Sequence, residues 1–271
     1  MTRHMVYLLV AAVVVFCGFA HADTIPEPHY PLQYCADQLW NISVTPTEKY
    51  YTYYASLMLP QYNLPGSAPQ LVVVPQTVSD VQRSLRCAMQ YRVPVSVKGG
   101  GHNYAGYSQA PANGFMMSLQ LMNSVHFVMY NNTIPAVNFG GGTTFATIYE
   151  YLNKSYPQYV LSGGFCPSVG ATAFHLGGGL GGLCREYGMG ADNVLWAQVV
   201  STDGLEVMNA SEYENPLLFW ALRGGGGPSF GVVTSMTVQL HPSFPKYSYG
   251  ELCSGNTYPD VEKELLRLSN Y

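Results

Sequence analysis

The stretch VSVKGGGHNYAGYS, residues 95–108, contains three consecutive glycines followed directly by a histidine. Such a triplet is costly to order, because glycine loses more backbone freedom on folding than any other residue. A backbone without side chains, however, lets N–H groups converge on the oxygens of an anion such as a phosphate. The stretch therefore predicts a strand that ends in a loop with a bare backbone, which serves either an anion or a flexible surface turn.

The composition of the whole chain restricts the class of protein. The chain has 271 residues, 48% hydrophobic and 13% aromatic, which is enough for one sizeable core or two small ones. Charged residues make up only 10%, the formal net charge is −4, and no stripe of Lys or Arg is visible. Binding to nucleic acid is therefore not expected, and no metal site is predicted.

The first residues have the pattern of an export signal. Arg3 gives a basic start, residues 6–16 form an apolar run without a charge, and residues 20–22 (Ala-His-Ala) offer a small-x-small cleavage site. We expect residues 1–22 to be a signal peptide, and the mature protein to be secreted without stable insertion in a membrane. An uncleaved anchor is the alternative, although the apolar run is short for crossing a bilayer.

Sequons and cysteines agree with export. N-glycosylation sequons begin at Asn41, Asn131, Asn153 and Asn209. The cysteines are Cys17, Cys35, Cys87, Cys166, Cys184 and Cys253. Loss of Cys17 with the signal leaves an odd number, so in an oxidising compartment one thiol has no intramolecular disulfide partner.

Strand and helix signals alternate along the mature chain. Residues 23–65 are rich in Pro and Tyr with weak periodicity, and are expected to form an irregular N-terminal wrap. A first αβ layer is predicted from strands at 71–74, 95–97 and 115–119 and a helix from Val78 to Met89. Thr77 and Asp80 have the spacing of a capping box at the start of that helix.

A second layer has the same mixture of elements. Its predicted strands are 125–130, 136–139, 159–161, 194–201, 205–208 and 232–240, and its predicted helices are 144–153 and 215–222. Asp203-Gly204 is a strong hairpin signal between two of the strands. The two layers predict an α+β fold made of two αβ subdomains.

Four glycine clusters stand out, at residues 99–101, 140–142, 177–182 and 224–227. Flexible surface loops are the alternative for any one cluster. Gly177, Gly179 and Gly182 also match G-x-G-x-x-G, with Asp203 near the spacing of a ribose-binding acid. That pattern indicates a dinucleotide fold only between a strand and a helix. Because residues 170–176 are no β-branched strand and residues 185–190 contain two glycines, we reject that interpretation.

Taken together, these motifs resemble the vanillyl-alcohol-oxidase superfamily with its PCMH-type FAD-binding domain, and within it the berberine-bridge-enzyme-like oxidases. The matching pieces are PVSVKGGGHNYAGYS (94–108), SGGFCPSVGATAFHLGGGLGG (162–182), ADNVLWAQVVSTDG (191–204) and FWALRGGGGPSFGVVTSMTVQLHP (219–242). The resemblance implies an FAD-binding domain over residues 66–243, and residues 244–271 as the start of an incomplete substrate domain.

The resemblance also implies roles for single residues. His102 would be bonded covalently to the flavin 8-methyl carbon, with an ordinary loop histidine as the alternative. Cys166, in the pattern G-G-x-C-x-x-V-G, would be bonded to flavin C6, with a small buried hydrophobe as the alternative. Val169 would control access of oxygen to the flavin. The remaining residues assigned to FAD are Gly99, Gly100, Gly101, Asn103, Ser108, Gly164, Gly170, Gly178 and Val232.

Cys35 and Cys87 match a pair that family members join in a disulfide. Cys184 and Cys253 are not placed by the resemblance; they pair with each other, or Cys253 pairs beyond the chain. Two positions depart from the family pattern. Lys98 stands where many relatives have Arg-Ser, and Phe174 stands where plant members commonly have a histidine. We expect His175, its neighbour, to have a packing role.

The implied function is that of a secreted oxidase with FAD held by two covalent bonds. It would oxidise a small-molecule alcohol, sugar, phenol or alkaloid by hydride transfer to flavin N5, with oxygen as the acceptor. Relatives take their catalytic base from the substrate domain, so this base is expected beyond residue 271. The alternative is a truncated flavin-binding module without turnover.

Overall fold

The computed structural model describes residues 31–58, 68–226 and 229–244. The predicted signal peptide, Cys17, Cys253, Gly227 and residues 245–271 lie outside the described residues, as do parts of the predicted N-terminal wrap. The described residues form a four-stranded sheet, a five-stranded sheet and a two-stranded pair. No helix in the described ranges is long and apolar enough to cross a bilayer.

The first subdomain is built on the four-stranded sheet, in the order β1-β2-β4-β3. Its strands are β1 (Ser43–Val44), β2 (Val72–Val73), β3 (Val95–Lys98) and β4 (Phe115–Ser118). β2 and β3 both run parallel to β4, whereas β1 is antiparallel to β2. All four residues of β4 are buried, as expected for a central strand covered on both faces.

Helices cover both faces of this sheet. They are α1 (Pro31–Gln38), α2 (Tyr51–Ala55) and α3 (Val78–Tyr91). The predicted capping box starts α3, because Thr77 accepts from the N–H of Asp80 and the Asp80 carboxylate accepts from the N–H of Thr77. The disulfide expected from the resemblance joins Cys35 on α1 to Cys87 on α3.

The prediction of an irregular N-terminal wrap is wrong for its described part, which contains α1, β1 and α2. Its weak periodicity has a physical cause, since these helices are short and bury only a few side chains each. α1 buries Cys35, and α2 buries Tyr51 and Ala55. A stripe of one or two residues is too short to produce a helical pattern in the sequence.

The second subdomain is built on the five-stranded antiparallel sheet, in the order β5-β6-β10-β8-β9. Its strands are β5 (Val125–Tyr130), β6 (Ile134–Gly140), β8 (Val194–Val200), β9 (Val207–Ser211) and β10 (Val232–Gln239). Its helices are α4 (Phe145–Ser155), α5 (Ala171–Leu176), α6 (Cys184–Tyr187) and α7 (Pro216–Leu222). The separate pair consists of β7 (Tyr159–Val160) and β11 (His241–Pro242).

The hairpin predicted at Asp203-Gly204 is confirmed, but its second strand begins at Val207 rather than at Leu205. The Asp203 carboxylate accepts from the N–H of Leu205 at 2.9 Å, which holds that residue in the turn. Gly204 has φ +70°, and a Cβ there would lie 2.6 Å from the carbonyl oxygen of Gln82 on α3. The turn therefore packs directly on the first subdomain.

The two subdomains share a core boundary beneath the glycine loop. The core of the first subdomain contains Leu71, Val73 and Phe115, and it includes Val200 and Val232 from the five-stranded sheet. The core of the second lies between that sheet and α4, α5 and α7. This contact fixes the end of β3 relative to the start of β10.

The glycine cluster at residues 140–142 serves close packing. A Cβ on Gly140 would lie 2.2 Å from the carbonyl oxygen of Met122, and one on Gly142 would lie 1.8 Å from that of Leu119. These distances are far below ordinary van der Waals contact, so only glycine fits. This cluster lets the end of β6 pass against the turn that follows β4.

Candidate functional site

The glycine loop leaves β3 at Lys98, which is almost fully buried with 1% of its surface exposed. Its ammonium donates to the carbonyl oxygen of Tyr54 at 2.9 Å. Loss of hydration on burial lowers the pKa of Lys98 to about 8. Three residues further on, the carbonyl of Gly101 accepts from the N–H of Met58 at 3.0 Å. α2 and the segment that follows it thus hold the base of the loop.

Gly100 brings the loop against a second loop, residues 166–170. A Cβ on Gly100 would lie 2.3 Å from the nitrogen of Gly170 and 2.6 Å from the carbonyl oxygen of Ser168. A Cβ on Gly170 would in turn lie 2.6 Å from the nitrogen of Gly100. The two backbones are therefore in direct contact, which requires glycine on both sides.

The first turn of α4 fixes the second loop from behind. The N–H of Phe145 donates to the carbonyl of Val169 at 3.1 Å, and the N–H of Ala146 donates to that of Pro167 at 2.8 Å. Helix N-termini leave such donors without partners inside the helix. Ser168 lies between the two residues held in this way.

His102 and Cys166 meet at Ser168, although 64 positions separate them in the sequence. Nε2 of His102 is 2.9 Å from Oγ of Ser168, and Sγ of Cys166 is 3.4 Å from the same oxygen. Burial lowers the pKa of His102, which favours the neutral form of its imidazole. A hydrogen bond with Ser168 is the main cause that lowers the pKa of the Cys166 thiol. Cys166 is exposed, which contradicts the alternative of a buried hydrophobe.

A cavity of about 410 Å³ opens beside these residues. Its lining includes Gly99, Gly100, Gly101, His102, Asn103, Ser108, Val169, Gly170 and Val232, all of them predicted for the site. A neighbouring cavity of about 600 Å³ shares Val97, Tyr107, Gly231 and Val232 with it. The two together provide an elongated space of the size that holds cofactors.

The lining offers polar groups without protein partners. Among the described residues, the backbone N–H groups of Gly100, Gly101 and His102 have no acceptor. The hydroxyl of Thr172 is buried, lines the same cavity and lacks a partner within the described ranges. Unpaired donors of this kind are costly unless a ligand satisfies them. The residues present therefore fit an elongated ligand that carries a diphosphate.

Three predicted residues, Cys166, Gly164 and Gly178, lie outside the lining of this cavity. Gly164 is buried against the rings of Phe145 and Phe174, and its carbonyl accepts from Tyr149 at 2.5 Å. Gly178 has φ +97° and lies close to Met189. Both glycines shape the backbone that carries the site. Asn103 lines the cavity, but its side chain accepts from the N–H of Tyr107 and so closes the turn of the loop.

His175 packs in the core. Its ring is fully buried and contacts Phe139, Phe145 and Phe174. Its Nδ1 is hydrogen-bonded to the carbonyl oxygen of Ala171 at 2.6 Å. Burial lowers its pKa to about 4, which keeps it neutral. The expected packing role is what the structure shows.

Ser168 and Thr172 were not among the predicted site residues. Both lie inside the motif that follows Cys166, so their neighbourhood was visible in the sequence. Their contacts, to His102 and to the cavity, depend on how the two loops converge. No local pattern in the sequence carries that information.

Comparison with known proteins agrees with this geometry. Residues 69–208 match the family model of an FAD binding domain. Berberine bridge enzyme-like 23 of Arabidopsis thaliana is 35% identical over 201 residues, which cover 72% of this chain and 37% of that protein. This chain thus spans well under half the length of the curated relative.

Solved structures with the same fold include 6-hydroxy-D-nicotine oxidase from Arthrobacter nicotinovorans. It is 32% identical with a TM-score of 0.66, covering 74% of this chain and 42% of that one. The grass pollen allergen Phl p 4, described as having glucose dehydrogenase activity, is 25% identical with a TM-score of 0.70. That match covers 79% of this chain and 44% of the allergen. The predicted α+β fold with its FAD-binding architecture is confirmed.

Proposed function

This chain belongs to the family of FAD-binding oxidoreductases that includes the berberine bridge enzyme-like proteins, and from that premise we propose a secreted oxidase whose FAD is bonded to both His102 and Cys166. One observation carries the proposal. Two nucleophilic side chains, from loops of different subdomains, lie within hydrogen-bond reach of one hydroxyl, and one of them, His102, lines the cavity. That placement suits two bonds to one ring system.

The chain's own residues supply the binding site. The N–H groups of Gly100, Gly101 and His102 would hold the diphosphate, and Thr172 would donate to a polar group of the cofactor. FAD, when bound, supplies the hydride acceptor at flavin N5 and reacts afterwards with oxygen. Val169 lines the cavity directly beside Gly170, where its side chain would limit the approach of oxygen.

The protonation states of the two attachment residues favour bond formation. A neutral imidazole at His102 has an unprotonated nitrogen to offer. A thiol reacts as its thiolate, and the hydrogen bond with Ser168 favours that form of Cys166. Because both groups are prepared by their surroundings, we expect attachment to need no helper enzyme.

We propose a sugar or another secondary alcohol as the substrate, which rests on the glucose dehydrogenase activity named for Phl p 4. Secretion rests on the signal pattern at residues 1–22 and on the Cys35–Cys87 disulfide. Three sequon asparagines (Asn41, Asn131 and Asn153) are exposed and accessible to glycosylation, whereas Asn209 is half-buried.

A second candidate function, flavin binding without turnover, is favoured by the lining of the cavity. The described lining contains no Asp or Glu, so these residues supply no carboxylate base. A cavity that binds FAD without a base to remove the substrate proton would not oxidise an alcohol. Peroxide release on addition of glucose oligomers or benzylic alcohols separates the candidates, because only the oxidase produces it.

The test of attachment uses the longest naturally expressed polypeptide that contains this chain. The protein is incubated with FAD and then denatured with acid. We expect the precipitate to stay yellow, and a digest to contain one flavin joining the peptides around His102 and Cys166. His102→Ala and Cys166→Ala should each keep one bond, whereas the double variant should release FAD. Cys184→Ala is the matched control and should keep both bonds. Free FAD released from the denatured wild type would contradict the proposal.

A further inference from the structure

The hydroxyl of Ser168 lies between the two residues proposed to hold FAD, 2.9 Å from Nε2 of His102 and 3.4 Å from Sγ of Cys166. A serine hydroxyl has one proton to donate and lone pairs with which to accept. It therefore cannot donate to both neighbours at once. The direction of the hydrogen bonds through Ser168 fixes where the protons of both neighbours lie.

Only one direction leaves both neighbours ready to react. If Nε2–H of His102 donates to Oγ, then the Ser168 O–H is free to donate to a thiolate at Cys166. The imidazole is then neutral with its lone pair on Nδ1, and Cys166 has lost its proton to the surrounding water. In the opposite direction the thiol keeps its proton and Nε2 of His102 accepts from Ser168, which leaves Cys166 unreactive.

We propose that Ser168 is a positioning residue that prepares both attachments through the chain Nε2–H of His102 to Oγ–H of Ser168 to the Cys166 thiolate. This inference rests on the proposed attachment of FAD to these two residues. Deprotonation of Cys166 involves no oxidation or reduction. The thiol proton passes to water, and the protons on His102 and Ser168 stay on their own residues.

The surroundings of Ser168 hold it in place for this role. The carbonyls of its two neighbours, Pro167 and Val169, accept from the first turn of α4, and its own carbonyl faces Gly100. Cys166 is exposed, so its proton can leave to water. The causes that lower the pKa of Cys166 include no charged side chain. Among the described residues, the titratable side chains hydrogen-bonded to Ser168 are His102 and Cys166 themselves.

The first experiment measures alkylation of Cys166 by iodoacetamide against pH, in protein without FAD, with each thiol followed by its own peptide. Replacing Ser168 with Ala should slow the reaction at pH 7 about tenfold, the effect of losing one hydrogen bond to a charged acceptor. Ser168→Thr keeps a hydroxyl and should restore the rate. Thr147→Ala, on the exposed face of α4, is the matched control and should react like the wild type. Equal rates for Ser168→Ala and wild type would overturn the proposal.

The second experiment reads the tautomer of His102 directly by ¹⁵N NMR at pH 8, in the wild type without FAD. We expect the Nε2–H form with its lone pair on Nδ1, and a mixture of tautomers in Ser168→Ala. His102→Ala assigns the signal among the seven histidines. A wild-type signal from the Nδ1–H form would refute the direction of the hydrogen bonds.

The two readouts do not depend on covalent FAD. If FAD attaches but both experiments give the contrary results, the role of Ser168 is wrong and the proposed attachment stands. If FAD never attaches while alkylation and tautomer behave as expected, the hydrogen-bond chain stands and the proposed attachment is wrong.

Discussion

Replacing Gly100 with Ala should separate the two loops that form the site. The added Cβ would lie 2.3 Å from the nitrogen of Gly170, and ordinary van der Waals contact starts at 3.4 Å, so the loops must move apart by about 1 Å. Both contact atoms are backbone, which cannot rotate away as a side chain does. Overpacking of this kind costs about 1–3 kcal/mol of unfolding free energy, or roughly 2–4 °C in Tm for each kcal/mol.

The same movement would lengthen the bond between His102 and Ser168, now 2.9 Å, beyond hydrogen-bond reach. Covalent incorporation of FAD, followed by the yield of doubly attached peptide, should therefore fall together with Tm. Gly99→Ala is the control at the adjacent position, because a Cβ there would contact only the carbonyl oxygen of Gly141, at 3.6 Å. If Gly100→Ala and Gly99→Ala match in Tm and in FAD incorporation, the close contact of the loops has no role in the site.

Three further predictions concern the disulfide, the cavity wall and the buried lysine. Replacing Cys35 and Cys87 with Ala should cost about 2–5 kcal/mol in denaturant unfolding, because the bond closes a loop with a sequence separation of 52; Cys184→Ala should have no such effect. Val169→Leu in an active, flavinylated product should slow reoxidation in stopped-flow traces while substrate reduction stays nearly unchanged, and equal reoxidation would remove Val169 from this role. The pKa of Lys98 is about 8 in the folded chain and near 10.5 when unfolded, so the unfolded state binds more protons between these values and stability should rise with pH across that window. Lys98→Met should remove this part of the pH dependence, and a Met variant whose slope equals that of the wild type would contradict it.

Most of the fold was predictable because its elements are long enough to show a period. α3 and β10 carry clear helical and alternating patterns, and the capping box at Thr77 marked the helix start to the residue. The N-terminal segment was predicted wrongly, since α1 and α2 are short helices stabilised by a disulfide and by single buried rings. Such short helices form because of tertiary contacts, so their own sequence carries only a weak helical pattern.

In the site, too, some residues are recognisable from sequence motifs, whereas the role of others depends on the three-dimensional arrangement of the loops. His102 and Cys166 were proposed from motifs that resemble those of a known family, and the structure places both side chains at one hydroxyl. Ser168 could not be proposed in this way, because its role exists only where the loop of one subdomain touches the loop of the other. That contact also sets an order of events. The backbones of Gly100 and Gly170 meet only once the two sheets have packed through Val200 and Val232, so the chain must be folded before His102 and Cys166 share a hydroxyl. Attachment of FAD is therefore expected to report folding of both subdomains together.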